Sequence, residues 1–297
     1  MEKLIERESA TRNPLVAAPA LAVQFFLIPL AVVGITVLVY AGFRSLVSDA
    51  KTPQDYLAEI RSGGSTRRWP AAYELSRLMA DPSVRADRSL GPALVRAFEQ
   101  SDTDDPRVRR YLALAIGRLD PPWPPEAAAD LARALDDPDS EARISAIWAL
   151  GSSGDASVVP MIQPRYDSED AGIRKMVVYA LGALPGEVQL VTLRTAIADP
   201  AADVRWNAAV ALARHNSHEG VGVLRQMLDR AYVQQVVKRD VRQDDDRDPV
   251  ADVMISGLRA VALLKDPALR PSVETLSQQD RSLRVRQAAL EALKVMG

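Results

Sequence analysis

The sequence predicts an all-α solenoid of about seven helical pairs behind a single transmembrane helix. Three observations predict it. The run from Asn13 to Phe43 contains no charged side chain. From Arg68 onward an arginine-led pattern of small and apolar residues recurs. No stretch alternates apolar and polar residues as a half-buried strand does.

The apolar run comes first. About 20 apolar residues at ~1.5 Å rise span a bilayer core of ~30 Å. Residues 15–43 are read as the membrane helix, after an N-terminal tail at 1–14, and Gln24 and Thr36 are its polar members. Pro14 and Pro19 suit the helix start, Pro29 predicts a kink that membrane helices tolerate, and Tyr40 and Arg44 suit the far interface. A cleaved signal peptide would have an apolar region of only about 7–15 residues. Lys3, Arg7 and Arg12 on one flank balance Arg44, Lys51 and Arg61 on the other, so the positive-inside rule does not decide the orientation. The usual disposition of an uncleaved N-terminal anchor places the following domain outside the cytoplasm. Residues 44–66 form the linker. Its first part either continues the helix or leads into the first repeat, and Ser62-Gly63-Gly64-Ser65-Thr66 is a flexible turn.

The repeats occupy residues 67–297. Counting from an arginine, small or apolar residues follow at offsets 3, 4, 6 and 7. Arg109 is followed by Leu112, Ala113, Ala115 and Ile116, and Arg143 by Ala146, Ile147, Ala149 and Leu150. Arg174, Arg205 and Arg286 lead further copies, Arg68 leads a weaker one, and Met254 takes the arginine's place in a seventh. Offsets 3, 4 and 7 share one face of a helix. A second apolar helix precedes most copies, and turns such as Asp105-Pro106, Asp137-Pro138-Asp139 and Asp199-Pro200 separate the two. Aspartate there caps the next helix. Helical pairs recurring every ~30–45 residues indicate an α-solenoid.

Asp203-Val204-Arg205-Trp206-Asn207-Ala208-Ala209-Val210-Ala211-Leu212 and Val285-Arg286-Gln287-Ala288-Ala289-Leu290-Glu291-Ala292-Leu293 resemble the HEAT-repeat family, in particular the short bacterial HEAT-like repeats also found in phycobilisome lyases. The resemblance covers about residues 67–297. It implies binding and assembly rather than one chemistry. It also implies that the turn aspartates and Arg68, Arg109, Arg143, Arg174, Arg205 and Arg286 form a structural ladder between repeats.

Offsets 1, 5 and 9 lie on a stripe turned away from that core, on the helices that line a solenoid's concave surface. A purely solvated stripe would be polar. This one holds Trp69, Tyr73, Trp148, Tyr179 and Trp206, with Arg77, Arg118 and Arg214 at offset 9. Aromatic and arginine side chains are enriched in interface hot spots. Either the stripe is a groove anchoring a protein segment, or its aromatics pack against the first helix or the next repeat. The long step from Arg205 to Met254 carries a charged insertion at 232–248, read as a helical extension with a solvated loop or as a partner-contact loop. Asp244, Asp246 and Asp248 do not make a calcium loop, because no glycine follows and position twelve falls on Ile255.

Composition bounds the chemistry. The 297 residues are 47% hydrophobic and 26% charged, as in a globular protein. The absence of cysteine excludes disulfides, thiolate metal sites and a cysteine nucleophile. The two histidines, His215 and His218, flank a turn with no third ligand marked, so no metal or cofactor is expected. A formal net charge of −2 lacks the basic excess of a nucleic-acid binder. No phosphate loop, nucleophile–base pair or small-molecule site stands out. The expected function is a non-enzymatic, membrane-anchored scaffold or adaptor docking a membrane-associated protein partner, as accessory subunit of a larger complex. A transient assembly factor or chaperone would use the same groove. A bilin-lyase-like enzyme is the third reading, carried only by resemblance.

Overall fold

The computed structural model describes residues 28–47, 51–237 and 248–297. It divides into two compact units, Met1–Thr52 and Pro53–Gly297.

In the first unit the described element is helix α1, Ile28–Val47. Among the described residues no helix is long and apolar enough to cross a membrane. The predicted single-pass membrane placement is therefore corrected. The uncharged part of α1 ends before Arg44, and residues 28–43 span only about 24 Å at ~1.5 Å per residue, against a core of ~30 Å. Positions 15–27 of the predicted anchor, and the tail before it, lie outside the described residues.

The second unit begins earlier than the repeat pattern suggested. Its helices are α2 (Pro53–Ser62), α3 (Ser65–Leu78), α4 (Pro82–Arg85), α5 (Leu90–Glu99), α6 (Pro106–Ile116), α7 (Ala127–Arg133), α8 (Ser140–Ser152), α9 (Val159–Ile162) and α10 (Ala171–Leu181). They continue as α11 (Leu190–Ala196), α12 (Ala202–Arg214), α13 (Val221–Leu228), α14 (Arg230–Val237), α15 (Pro249–Leu264), α16 (Arg270–Gln279) and α17 (Leu283–Met296). Seven pairs follow one another among the described residues: α2/α3, α5/α6, α7/α8, α9/α10, α11/α12, α13/α15 and α16/α17. The second helices α3, α6, α8, α10, α12, α15 and α17 pack each against the next. Residues 53–62, read as linker, are the first helix of the first pair, and their Leu57 and Ile60 are buried.

The repeat pattern explains this packing. Side chains at offsets 3, 4, 6 and 7 from Arg109, Arg143, Arg174 and Arg205 are all buried, as one apolar helix face requires. At offset 8 stand Gly117, Gly151 and Gly182, each against the offset-6 alanine of the next pair, Ala149, Ala180 and Ala211. A Cβ built on Gly151 would stand 2.5 Å from Ala180 Cβ. Glycine is used there for close approach, not for a special backbone angle.

Aspartates hold the turns. Asp105 accepts the Arg107 N–H, Asp139 that of Ala142, Asp170 those of Gly172 and Ile173, and Asp248 that of Ala251, capping the helices that follow. A second set bridges consecutive pairs. The Asp137 carboxylate accepts from Arg109 of the preceding pair (Nη2 to Oδ1, 3.0 Å), and the Asp137 carbonyl accepts from Arg143 of its own pair at 2.6 Å. Asp199 repeats this, with Arg174 at 2.9 and 3.1 Å on its carboxylate and Arg205 at 2.7 Å on its carbonyl. Asp104 likewise joins Arg68 to Arg109. Arg286 donates to the Asp280 carbonyl at 2.8 Å, while the Asp280 carboxylate takes Arg230 at 2.8 and 2.7 Å. Arg230 opens α14, inside the long step, and supplies the guanidinium missing at Met254.

Two steps depart from this scheme. Arg205 donates to the Tyr232 hydroxyl at 3.2 Å instead of a carboxylate. At the step after Arg143 the aspartate's place is taken by Ser168, and among the described residues Arg143 bonds only the carbonyls of Asp137 and Pro138. Of the insertion, residues 232–237 belong to α14, Asp248 caps α15, and positions 238–247 lie outside the described residues.

The Arg109–Asp137 bridge is buried, each side chain 6% exposed, while Arg68, Arg174 and Arg230 in the other bridges are half-buried. Breaking one partner of such a pair costs about 3–5 kcal/mol, because the other is left charged and dry. Burial pushes the Asp137, Asp199 and Asp280 carboxyls up, but their arginines and the N–H groups of Asp139, Ala201 and Ser282 outweigh it and hold all three below the ordinary 3.8. The Tyr166 hydroxyl donates to Asp199 at 3.0 Å. Burial, then that carboxylate, push the Tyr166 phenol up to about 12.

Gly151→Ala is expected to destabilise the chain by about 1–3 kcal/mol, read by urea melts, since two backbones must separate to admit the methyl group. Ser168→Asp is expected to raise the melting temperature by completing the missing bridge to Arg143, and an Arg143→Gln background should abolish the gain. Carboxylates depressed on folding stabilise the fold above their unfolded value, and this contribution is lost as pH falls through the folded value. The melting temperature should therefore be insensitive to these groups between about pH 7 and 5 and fall below about pH 4. A melting temperature that rises on acidification from pH 4 would contradict the ladder's electrostatics.

Candidate functional site: the arginine–aromatic face

The core takes one side of each second helix and leaves offsets 1, 5 and 9 on another. The structure places the predicted residues on this face unequally. Trp69 is half-buried on α3, with the Arg107 guanidinium 4.2 Å over its ring. Tyr73 is 38% exposed. It meets Tyr111 of α6 edge-on, centroids 5.1 Å apart, with Arg77 5.7 Å from its ring. Trp148 is half-buried on α8 and lies over Gly117, where a Cβ would come within 2.7 Å of its ring. Arg118 stands 5.7 Å from the Trp148 ring and donates to the Ser76 carbonyl at 2.8 Å. Tyr179 on α10 is 39% exposed, with Arg214 of α12 5.7 Å from it.

Trp206 is the exception. It is 7% exposed and belongs to the second apolar cluster, together with Val233 from the inserted α14. Its reading as a groove anchor is corrected. Offset 1 points away from a regular pair's core, but here an extra helix contributes apolar cover. The remaining aromatics divide between the two alternatives. Trp69 and Trp148 pack partly against the main core, while Tyr73 and Tyr179 present their rings to solvent.

Two participants escaped the offset pattern. Tyr111 sits at offset 2, and Arg107 precedes its reference arginine by two. An aromatic beside the first turn of a second helix was the only signal pointing to them. The ladder arginines Arg68, Arg109, Arg143, Arg174, Arg205 and Arg286 donate to turn groups and are not part of this face. Toward the C-terminal end a cleft of about 550 Å³ lies between α15 and α17, lined by Ile255, Arg259, Leu283 and Gln287 among others. Elsewhere, the fourth tryptophan, Trp123, lines a cleft of about 340 Å³ with Arg85, Arg88, Pro121 and Pro122.

This arrangement offers recognition. A guanidinium over an aromatic ring presents a flat, rigid surface with a cationic edge. His218 hydrogen-bonds Asp266 at 2.9 Å. Among the described residues no group of three or more histidine, aspartate or glutamate side chains is placed to hold a metal ion.

Comparison with known proteins agrees with the architecture. The family model for HEAT repeats matches residues 71–150, 91–182 and 130–213. In structure, 82% of the chain overlies 87% of a chain from the complex of CpcE and CpcF of phycocyanin lyase from Nostoc sp. PCC7120, at 19% identity and a TM-score of 0.51. An engineered protein (18% identity, 82% and 96% covered, TM-score 0.43) and a designed armadillo repeat protein (15%, 83% and 100%, TM-score 0.35) are more distant. No curated protein matches the chain in sequence. At these identities the structural likeness speaks for the fold alone. Residues 71–213 match the model for HEAT repeats, within an all-α solenoid-like fold.

Proposed function

We propose that this chain is a non-enzymatic binding scaffold that docks a segment of a protein partner along the face of its second helices. One observation carries the reading. Aromatic rings stay partly exposed on consecutive second helices, each with an arginine over or beside it, while the core behind them is closed. Residues held only by solvent would not be expected to form such a row, because exposed aromatics without a binding role are scattered singly. Tryptophan, tyrosine and arginine are the side chains that most often dominate interface energetics. The fold suits the role, since stacked repeats create extended surfaces.

The test compares Tyr73→Ala/Tyr179→Ala with the wild type in affinity purification from native extract. Both rings are exposed, so the double variant should melt within a few degrees of the wild type and lose a partner that the wild type retains in fixed stoichiometry. Equal recovery of that partner by both proteins would sink the reading.

A further inference from the structure

One turn of the ladder differs from the others in a single respect. Asp137 and Asp199 each make three kinds of contact. The carboxylate takes the arginine of the preceding pair, one of its oxygens also accepts the N–H two residues on at 2.8 Å, and the carbonyl accepts the arginine of its own pair. Ser168 makes two of the three. Its carbonyl accepts from Arg174 at 2.9 Å, and its Oγ accepts the Asp170 N–H at 3.2 Å. It lies 25 positions after Arg143, as Asp199 does after Arg174. What is missing is the anion for Arg143. That arginine uses Nη1 on the carbonyls of Asp137 and Pro138, and its Nε and Nη2 donate to nothing among the described residues.

A missing carboxylate alone does not distinguish this step. Arg205 meets the Tyr232 hydroxyl instead, and Arg286 belongs to the last of the seven pairs. Only after Arg143 is the aspartate's own position held by a serine, whose hydroxyl can be converted into an anion. Ser168 is half-buried in the turn leading into α10, with Asp167, Glu169 and Asp170 exposed around it. Ser83, Ser89 and Ser157 also lie in turns, but each of their hydroxyls donates to a capping aspartate carboxylate, beside which a phosphate would be repelled.

We propose that Ser168 is a phosphorylation site, and that phosphoserine there pairs with Arg143 and completes the ladder between α8 and α10. In the modifying step Ser168 Oγ attacks the γ-phosphorus of a nucleoside triphosphate held by a protein kinase. The Oγ–P bond forms as the bond to the bridging oxygen breaks, the nucleoside diphosphate leaves, and the hydroxyl proton passes to the kinase's carboxylate base. A phosphoserine carries about −1.5 to −2 charges at neutral pH and three strong acceptor oxygens. These oxygens reach one bond further from Cβ than a carboxylate's, and the Nε and Nη2 of Arg143 form a fork that suits them. The neighbouring acids oppose the added charge, so the sign of the effect depends on Arg143. The same acids suit the turn to a kinase whose substrate groove is basic.

The test has two arms. Phosphopeptide mapping of the protein from its native cells, in growth and in starvation, is expected to find phosphate on Ser168. The full chain with phosphoserine encoded at position 168 is then melted beside the unmodified chain. The phosphorylated form should melt about 3–6 °C higher. In an Arg143→Gln background the phosphate should give no gain or a loss, because only the acids remain to meet it. Ser168→Ala, melting within about 2 °C of the wild type, shows that the turn folds without the hydroxyl. Native protein free of phosphate at Ser168 overturns the modification. A phosphorylated chain that melts no higher than the unmodified one, or gains equally without Arg143, overturns the pairing.

Discussion

The turn aspartate shared between two arginines is the constraint on which the rest of this structure depends. A solenoid has no long-range closure, so each pair must fix the register of the next through local contacts. Apolar packing alone is a poor register device, because small side chains such as the alanines at offsets 4 and 6 let helices slide. A carboxylate that accepts two guanidinium nitrogens at once tolerates no such shift. Asp137 and Asp199 each bind one pair by the carboxylate and the next by the carbonyl. The bridge therefore sets both the rotation of a helix and its spacing from its neighbour. The close approaches of Gly117 to Ala149 and of Gly182 to Ala211 fall at the steps whose spacing Asp137 and Asp199 set.

The same reasoning explains the irregular end. At Met254 the pattern lacks its arginine, yet Asp280 still needs a cation, because a buried carboxylate without one is costly. The inserted helix α14 supplies it through Arg230. It also brings Tyr232 to Arg205 and Val233 to the cluster around Trp206. The insertion thus does two things at once: it repairs the ladder where the repeat fails and closes over a ring that a regular repeat would leave open.

The period, the second helices and most ladder arginines were legible in the sequence, because offsets 3, 4, 6 and 7 report a helix face directly. What escaped has a common cause. Residues 53–62 carry no reference arginine and only Leu57 and Ile60 as buried anchors, too few for a periodic signal. Arg230 and Trp206 depend on a partner about thirty to fifty positions away that no local spacing reveals. The membrane reading rested on composition over a run whose first part lies outside the described residues, and the described part meets Arg44 before it is long enough. On the face itself, offsets identified Tyr73 and Tyr179 but missed Tyr111, since edge-to-face ring contact is decided by the neighbouring helix.

A formal net charge of −2 conceals how differently the protein uses its arginines. At the turns Arg68, Arg109, Arg174 and Arg230 are partly or fully buried against aspartate carboxylates that neutralise them. On the second-helix face Arg214 lies over the Tyr179 ring, and Arg118 stands beside the Trp148 ring while donating to the Ser76 carbonyl. A ring orients a guanidinium without neutralising it, because the attraction comes from the quadrupole and leaves the fork of N–H donors free along its edge. The positive charge is therefore positioned but still available. Arg77, Arg107 and Arg110 combine the two modes, each beside a ring and paired with Glu74, Asp105 or Glu141, so the face and the frame draw on the same pairing and differ in how much of each side chain stays exposed.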